Sequence, residues 1–140
     1  MSSLIGRLLV GLLCLVSLAG CGSKTVVLEG RLTADGKPLE WKEDAPLEVQ
    51  LSNATANVAF SAPVETGGKF TVKGGDGRGI PPGNYTFAVR TISTGPRNKI
   101  PSPLLDGIES IGNSPLKYEV TTDGKQHIVI DVTKHTIQRE

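Results

Sequence analysis

Residues 47–52 read Leu47-Glu48-Val49-Gln50-Leu51-Ser52, a strict alternation of apolar and polar side chains. Successive side chains of an extended chain point to opposite faces, so this hexad describes a strand with one face on a core and one in water. An amphipathic helix would instead place its apolar residues three and four apart, and no stretch after residue 24 sustains that period.

The same parity recurs on both sides of the hexad. Val26, Leu28 and Leu32 share a face around Gly30, with Glu29, Arg31 and Thr33 opposite, and this strand ends at the Asp35-Gly36 turn. Another strand is expected from Val58 to Val64. Gly67-Gly68 supplies the positive φ angles of a tight hairpin and leads into Lys69 to Val72, where Phe70 and Val72 share a face. Tyr85, Phe87 and Val89 mark a further strand, as do Leu116, Tyr118 and Val120. The Asp123-Gly124 turn then introduces Ile128, Ile130 and Val132. About seven short strands with turn residues between them predict an all-β chain, a single antiparallel β-sandwich. The 17 glycines, 9 prolines and 4% aromatic residues suit many turns better than helices.

Two stretches fall outside this ladder. Residues 40–46 are charged and carry the sole tryptophan, Trp41. Residues 93–115 form a long connection with prolines at 96, 101, 103 and 115, and a proline lacks the donor that a central strand needs. Within it, Leu104 to Ile111 has the propensity for one helical turn packed on a sheet edge.

Ahead of the strands, Leu18-Ala19-Gly20-Cys21 follows an apolar run from Leu8 to Ala19, with Arg7 as the one preceding positive charge. That run is the length of a secretory signal core and too short for a stable membrane span. The tetrad resembles the lipobox of bacterial lipoproteins. The resemblance implies cleavage between Gly20 and Cys21 and acylation of the Cys21 thiol. Two or more acyl chains hold a protein durably at a membrane, whereas one gives only reversible attachment. Gly22 after the cysteine, where some sorted lipoproteins carry aspartate, implies an outer-membrane destination.

The expected organisation is a removed signal peptide over 1–20, an acylated cysteine and short tether over 21–25, a β-sandwich over 26–134 and a C-terminal tail over 135–140. About 120 of the 140 residues then remain, enough for one core. Loss of Arg7 brings the 15 Lys and Arg to 14, against 14 Asp and Glu, a balance with no electrostatic footprint for nucleic acid. With Cys14 discarded and Cys21 acylated, no thiol is left for a disulfide.

Three segments carry a second resemblance: Val27 to Leu39, reading V-L-E-G-R-L-T-A-D-G-K-P-L; Gly67 to Val72, G-G-K-F-T-V; and Gly79 to Val89, G-I-P-P-G-N-Y-T-F-A-V. In this order they resemble carboxypeptidase regulatory-like domains, which are transthyretin-type β-sandwiches also found in short envelope lipoproteins. The pattern Ser114-Pro115-Leu116-Lys117-Tyr118-Glu119-Val120 before Asp123-Gly124-Lys125 is similar to their closing hairpin. The resemblance implies a domain without catalytic residues. Each segment also has a mechanical reading: Gly30 leaves room on the inner face, Pro38 stops the first turn from continuing as strand, and Pro81-Pro82-Gly83 rigidifies the approach to the Tyr85 strand.

The residues offer little chemistry. His127 and Asp131 share a strand face, with His135 in line beyond them, but four residues of strand separate successive positions by roughly 13 Å. One metal cannot bridge the two histidines along a straight strand, so no metal site is expected. Gly107-Ile108-Glu109-Ser110-Ile111-Gly112 is one residue too long for a nucleophile elbow. Gly74-Gly75-Asp76-Gly77-Arg78-Gly79 lacks the lysine and hydroxyl of a phosphate cradle and reads as a flexible loop. Trp41 is the candidate ligand contact, either stapling its charged loop to the sandwich or presenting a ring to a sugar or peptide.

The expected function is a non-catalytic, lipid-anchored module of the cell envelope, without cofactor, that makes structural or protein contacts. A glycan- or peptide-binding accessory using Trp41 and residues 93–115 is the alternative, and a small hydrolase using Ser110 or the histidines is the third reading.

Overall fold

The computed structural model describes residues 24–41, 46–92, 103–123 and 125–140; Cys21 with the whole leader, and Gly124 of the expected turn, lie outside them. Two sheets are built from β1 (Leu28–Ala34), β2 (Lys37–Pro38), β3 (Leu47–Asn53), β4 (Val58–Pro63), β5 (Lys69–Val72), β6 (Gly83–Thr91), β7 (Lys117–Val120), β8 (Gln126–Asp131) and β9 (Thr136–Arg139). In the first sheet β1 is central, with β8 and then β9 on one side and β5 and the short β2 on the other. The second runs β4-β3-β6-β7.

The alternating faces do what period two requires. Leu47, Val49 and Leu51 are buried while Glu48, Gln50 and Ser52 are half-buried. Phe70, Phe87, Tyr85, Leu28, Leu32, Ile128 and Ile130 join them in one apolar cluster drawn from both sheets. Each such side chain contributes about 1.5–3 kcal/mol on leaving water. Gly30 lies between Phe70 and Ile128 in register, and a Cβ there would stand 2.3 Å from Phe70 Cζ and 3.0 Å from Ile128 Cγ1. The glycine is what lets the Phe70 ring lie flat across β1.

Several expectations change. The sheets are not wholly antiparallel: β1 and β8 pair in parallel, from Leu28↔Gln126 to Thr33↔Asp131. The chain crosses from the second sheet to the first between β7 and β8, so β8 arrives beside β1 in the same direction. Gly67 and Gly68 do adopt positive φ, 84° and 81°, but they make no hairpin. They form part of a 3-10 turn that carries the chain from β4 in one sheet to β5 in the other. Pro38 does not end the strand pattern; it pairs with Thr33 across a two-residue turn in which Asp35 and Gly36 have φ of 52° and 78°. Residues 135–140, expected as a tail, contain β9, which completes the first sheet against β8. The turn at residues 132–135 precedes it, with His135 at φ 54°.

Strand directions sort the connections to two ends. Thr25 and Val26, the turn at 54–57, the loop at 73–82, residues 121–123 and Lys125 lie at one end, the N-terminal pole. The turn at 35–36, the chain leading to Trp41, residues 64–68 and the turn at 132–135 lie at the other, the far pole.

The glycine-rich loop at the N-terminal pole is tightly shaped rather than loose. Gly74, Gly77 and Gly79 all have positive φ, and a Cβ on Gly79 would meet the backbone of Val26 at 2.5–2.8 Å. Val26 and Ile80 exchange both backbone hydrogen bonds at 2.8 Å. The Tyr85 hydroxyl donates to the Pro81 carbonyl at 2.7 Å, holding the proline pair onto β6 in the manner of a tyrosine corner.

Of the long connection, residues 93–102 lie outside the described part. In the remainder the helical turn expected over Leu104 to Ile111 is a shorter 3-10 turn at Pro103–Leu105, followed by turns that lead to Ile108, whose carbonyl accepts from Val89 N–H at 2.9 Å. Leu105 and Ile108 are fully buried, so this segment closes the β6 edge that β7 leaves uncovered.

Candidate functional site

The far pole holds a cavity of about 510 Å³, and Trp41 forms part of its wall. Its position follows from local chemistry. After β2 the Leu39 N–H donates to the Leu32 carbonyl at 3.1 Å and the Leu39 side chain is buried, which draws Glu40 and Trp41 over the end of the first sheet. Trp41 is half-buried and packs against the apolar cluster.

The opposite wall comes from the second sheet. Val64 N–H donates to the Leu47 carbonyl at 2.9 Å, and Ile92 N–H to the Pro46 carbonyl at 2.7 Å. These bonds set Pro46 and Val64 facing Pro38 and Trp41 across the opening. Glu40, Glu65 and Thr66 add polar atoms to a mainly apolar lining. Ile92, beside Pro46, is the one exposed large apolar side chain among the described residues, at 38%. Rings and prolines of this kind suit the flat apolar face of a sugar or the side chains of an extended peptide, with two carboxylates to accept from hydroxyl or amide donors.

The other residues singled out in the sequence are dispersed. His127 lies on the outer face of β8 at its N-terminal end, exposed, with Nδ1 3.4 Å from Glu29 Oε2. His135 occupies the turn at the opposite end of β8, so the strand separates the two imidazoles as its length requires. Ser110 sits in the segment along β6, where its carbonyl accepts from Asn113 and Ser114 N–H at 3.2 and 2.9 Å. No group of three or more metal-ligating side chains gathers among the described residues. Gly20 and Cys21 lie outside the described part.

Asp131, considered in the sequence only as a companion of His127, has a different place. It is buried at the far pole and accepts from the N–H groups of Gly36, Thr133 and Lys134 at 3.0, 3.0 and 2.9 Å, and from the Thr33 hydroxyl at 3.3 Å. Burial pushes its pKa upward, but the backbone donors of Lys134, Gly36, Thr133 and Asp35 outweigh it and hold the carboxyl below the ordinary carboxylate range. Asp131 is therefore a clamp joining two turns. An aspartate followed two residues later by threonine, at a strand end, is the Asx-turn pattern that would have revealed it.

At the N-terminal pole Gln126 plays a similar part between the sheets. Its Nε2 donates to the carbonyl and hydroxyl of Thr121, and its Oε1 accepts from the Tyr118 hydroxyl at 3.1 Å. Compared with protein-family models, curated proteins and solved structures, the chain finds no match.

Proposed function

We propose that this chain is an exported lipoprotein held at a membrane by acyl chains on Cys21, and that its transthyretin-type β-sandwich is a non-catalytic interaction module of the cell envelope. The observation that carries the reading is the ordered run of Arg7, the apolar segment Leu8 to Ala19 and the tetrad Leu18-Ala19-Gly20-Cys21. Two sheets around one apolar cluster support the sandwich, and the dispersal of His127, His135 and Ser110 supports a role without catalysis.

The far-pole cavity favours a second, more specific version, an accessory that binds a glycan or an extended peptide. Cys21 precedes Thr25 by four residues, so at most about 14 Å of chain links an anchor to the N-terminal pole. Trp41 then faces away from the lipid, toward whatever the envelope presents.

The anchor is tested by mass spectrometry of the membrane fraction. Wild type should yield an acylated N-terminal cysteine, and Cys21→Ser should give uncleaved precursor or a soluble form. Unacylated wild type would refute the reading. For the binding version, a glycan array or peptidoglycan pull-down should retain wild type and lose the Trp41→Ala variant.

A further inference from the structure

We propose that the N-terminal pole docks directly on an anionic phospholipid surface through Lys24, Lys73 and Arg78, an inference that rests on the anchoring of Cys21. Backbone contacts gather these three cations. Thr25, next to Lys24, donates from Oγ1 to the Arg78 carbonyl at 2.9 Å, and Gly79 N–H donates to the Lys73 carbonyl at 2.6 Å. All three residues are exposed, and none forms an ion pair with a described residue. The same loop carries one acid, Asp76, which accepts from the Arg78 N–H at 3.0 Å, so three cations stand against one carboxylate.

Most neighbouring charges on this side of the molecule come as opposite pairs, Arg139 with Asp123 at 3.5 Å, Lys125 with Glu29 at 3.7 Å and Arg31 with Glu140, and Glu119 on β7 adds one exposed acid. The far pole carries Asp35, Glu40, Glu65 and Asp106 against Lys37, Lys69 and Lys134, with no positive surplus. A negative surface therefore attracts one end of the molecule more than the other. Near such a surface each Lys or Arg strengthens attachment roughly fivefold, within a Debye length of about 8 Å. The tether meets the fold at the very loop that carries the cations, so anchoring and docking act on the same end. The acyl chains fix the protein to the membrane, and the cations select the orientation that turns the Trp41 cavity outward.

The test is amine footprinting of the full chain, expressed so that it is processed in the cell, then placed in vesicles of phosphatidylcholine with or without phosphatidylglycerol. Labelling of Lys24 and Lys73 should fall about fivefold or more on the anionic vesicles and return at raised salt, while Lys37 and Lys134 stay unchanged. Arg78→Glu should restore labelling of both lysines; Arg78 serves the fold through its backbone N–H and carbonyl, so the variant keeps its structure. Equal labelling on the two kinds of vesicle, or full protection in Arg78→Glu, overturns the docking. Mass spectrometry of the same sample separates the causes: acylated Cys21 with even labelling overturns docking and leaves the anchor standing, and unacylated Cys21 overturns both.

Discussion

At the N-terminal pole several segments are tied to their neighbours: Thr25 to Arg78, Val26 to Ile80, Tyr85 to Pro81, and Gln126 to Thr121 and Tyr118. At the far pole Asp131 joins the turn at 35–36 to the turn at 132–135, while Leu39, Val64 and Ile92 are held by single backbone bonds. The cavity lies between Trp41 and Val64. The difference teaches how a small two-sheet fold divides its labour. One end is locked by polar bonds and close backbone contact, and the other leaves apolar surface open.

The sharpest way to break this comparison is to add one methyl group at each pole. Gly79→Ala would combine a φ of +117° with a Cβ pressed to within 2.5–2.8 Å of Val26 backbone atoms. Strain and overlap together should cost about 3 kcal/mol or more. Gly67→Ala, at φ +84° with nothing within 4 Å, meets only the conformational strain, about 1 kcal/mol. Urea midpoints at unchanged slope would measure both. Equal losses would show that the N-terminal pole is no tighter than the far one.

Asp131→Asn comes next, with an expected loss of about 2 kcal/mol at neutral pH, because an amide accepts less strongly and presents a donor to four donors. The pH dependence has a definite sign. The folded carboxyl has a pKa below its unfolded value near 3.9. Its stabilisation is therefore fully present above about pH 4 and is lost as pH falls through the folded pKa. Wild type should lose more stability than Asp131→Asn between pH 6 and pH 3 in urea titrations, and parallel losses would show that the carboxylate is not the clamp.

Tyr85→Phe tests the N-terminal pole more gently. It removes the hydroxyl that donates to Pro81 and should cost about 1 kcal/mol. Burial raises the Tyr85 pKa despite the opposing hydrogen bond with Asn53. A raised folded pKa means stability that is present below about pH 10 and fades as pH rises through the folded value. The variant should accordingly soften the alkaline limb of the stability profile, leaving the contribution of Tyr118, whose pKa burial also raises.

Much of the fold was legible because burial on one face forces period two. The alternations at Leu47 to Ser52, Tyr85 to Val89 and Ile128 to Val132 fell on strands β3 and β6 and on β8 with the turn after it. What escaped was set at long range. β9 spans only Thr136–Arg139 and shows one apolar side chain, Ile137, so its pattern carries no signal until β8 is beside it. Gly67-Gly68 announces positive φ, but the residues cannot tell a hairpin from a crossing between sheets. The parallel β1–β8 pair likewise depends on which edge is left open when β8 arrives. Trp41 was legible as a lone ring in a charged loop. Its cavity was not, because Pro38, Pro46 and Val64 meet only through pairings in two different sheets.

The smallest expected effect bears on that cavity. Trp41 is half-buried and its ring leans on the apolar cluster, so Trp41→Ala gives up part of one aromatic burial, about 1 kcal/mol. The hydrogen bonds of Leu39, Val64 and Ile92 that shape the opening run between backbone atoms. The variant should therefore fold, keep amide exchange at the N-terminal pole unchanged, and lose protection only near residues 38–40 and 64–68. A loss spreading to Val26 and Ile80 would mean that the two poles are mechanically coupled and that the ring is core rather than surface. If the loss stays local, the open side of the far pole contributes little to stability. That outcome is the one the proposed accessory role of Trp41 requires.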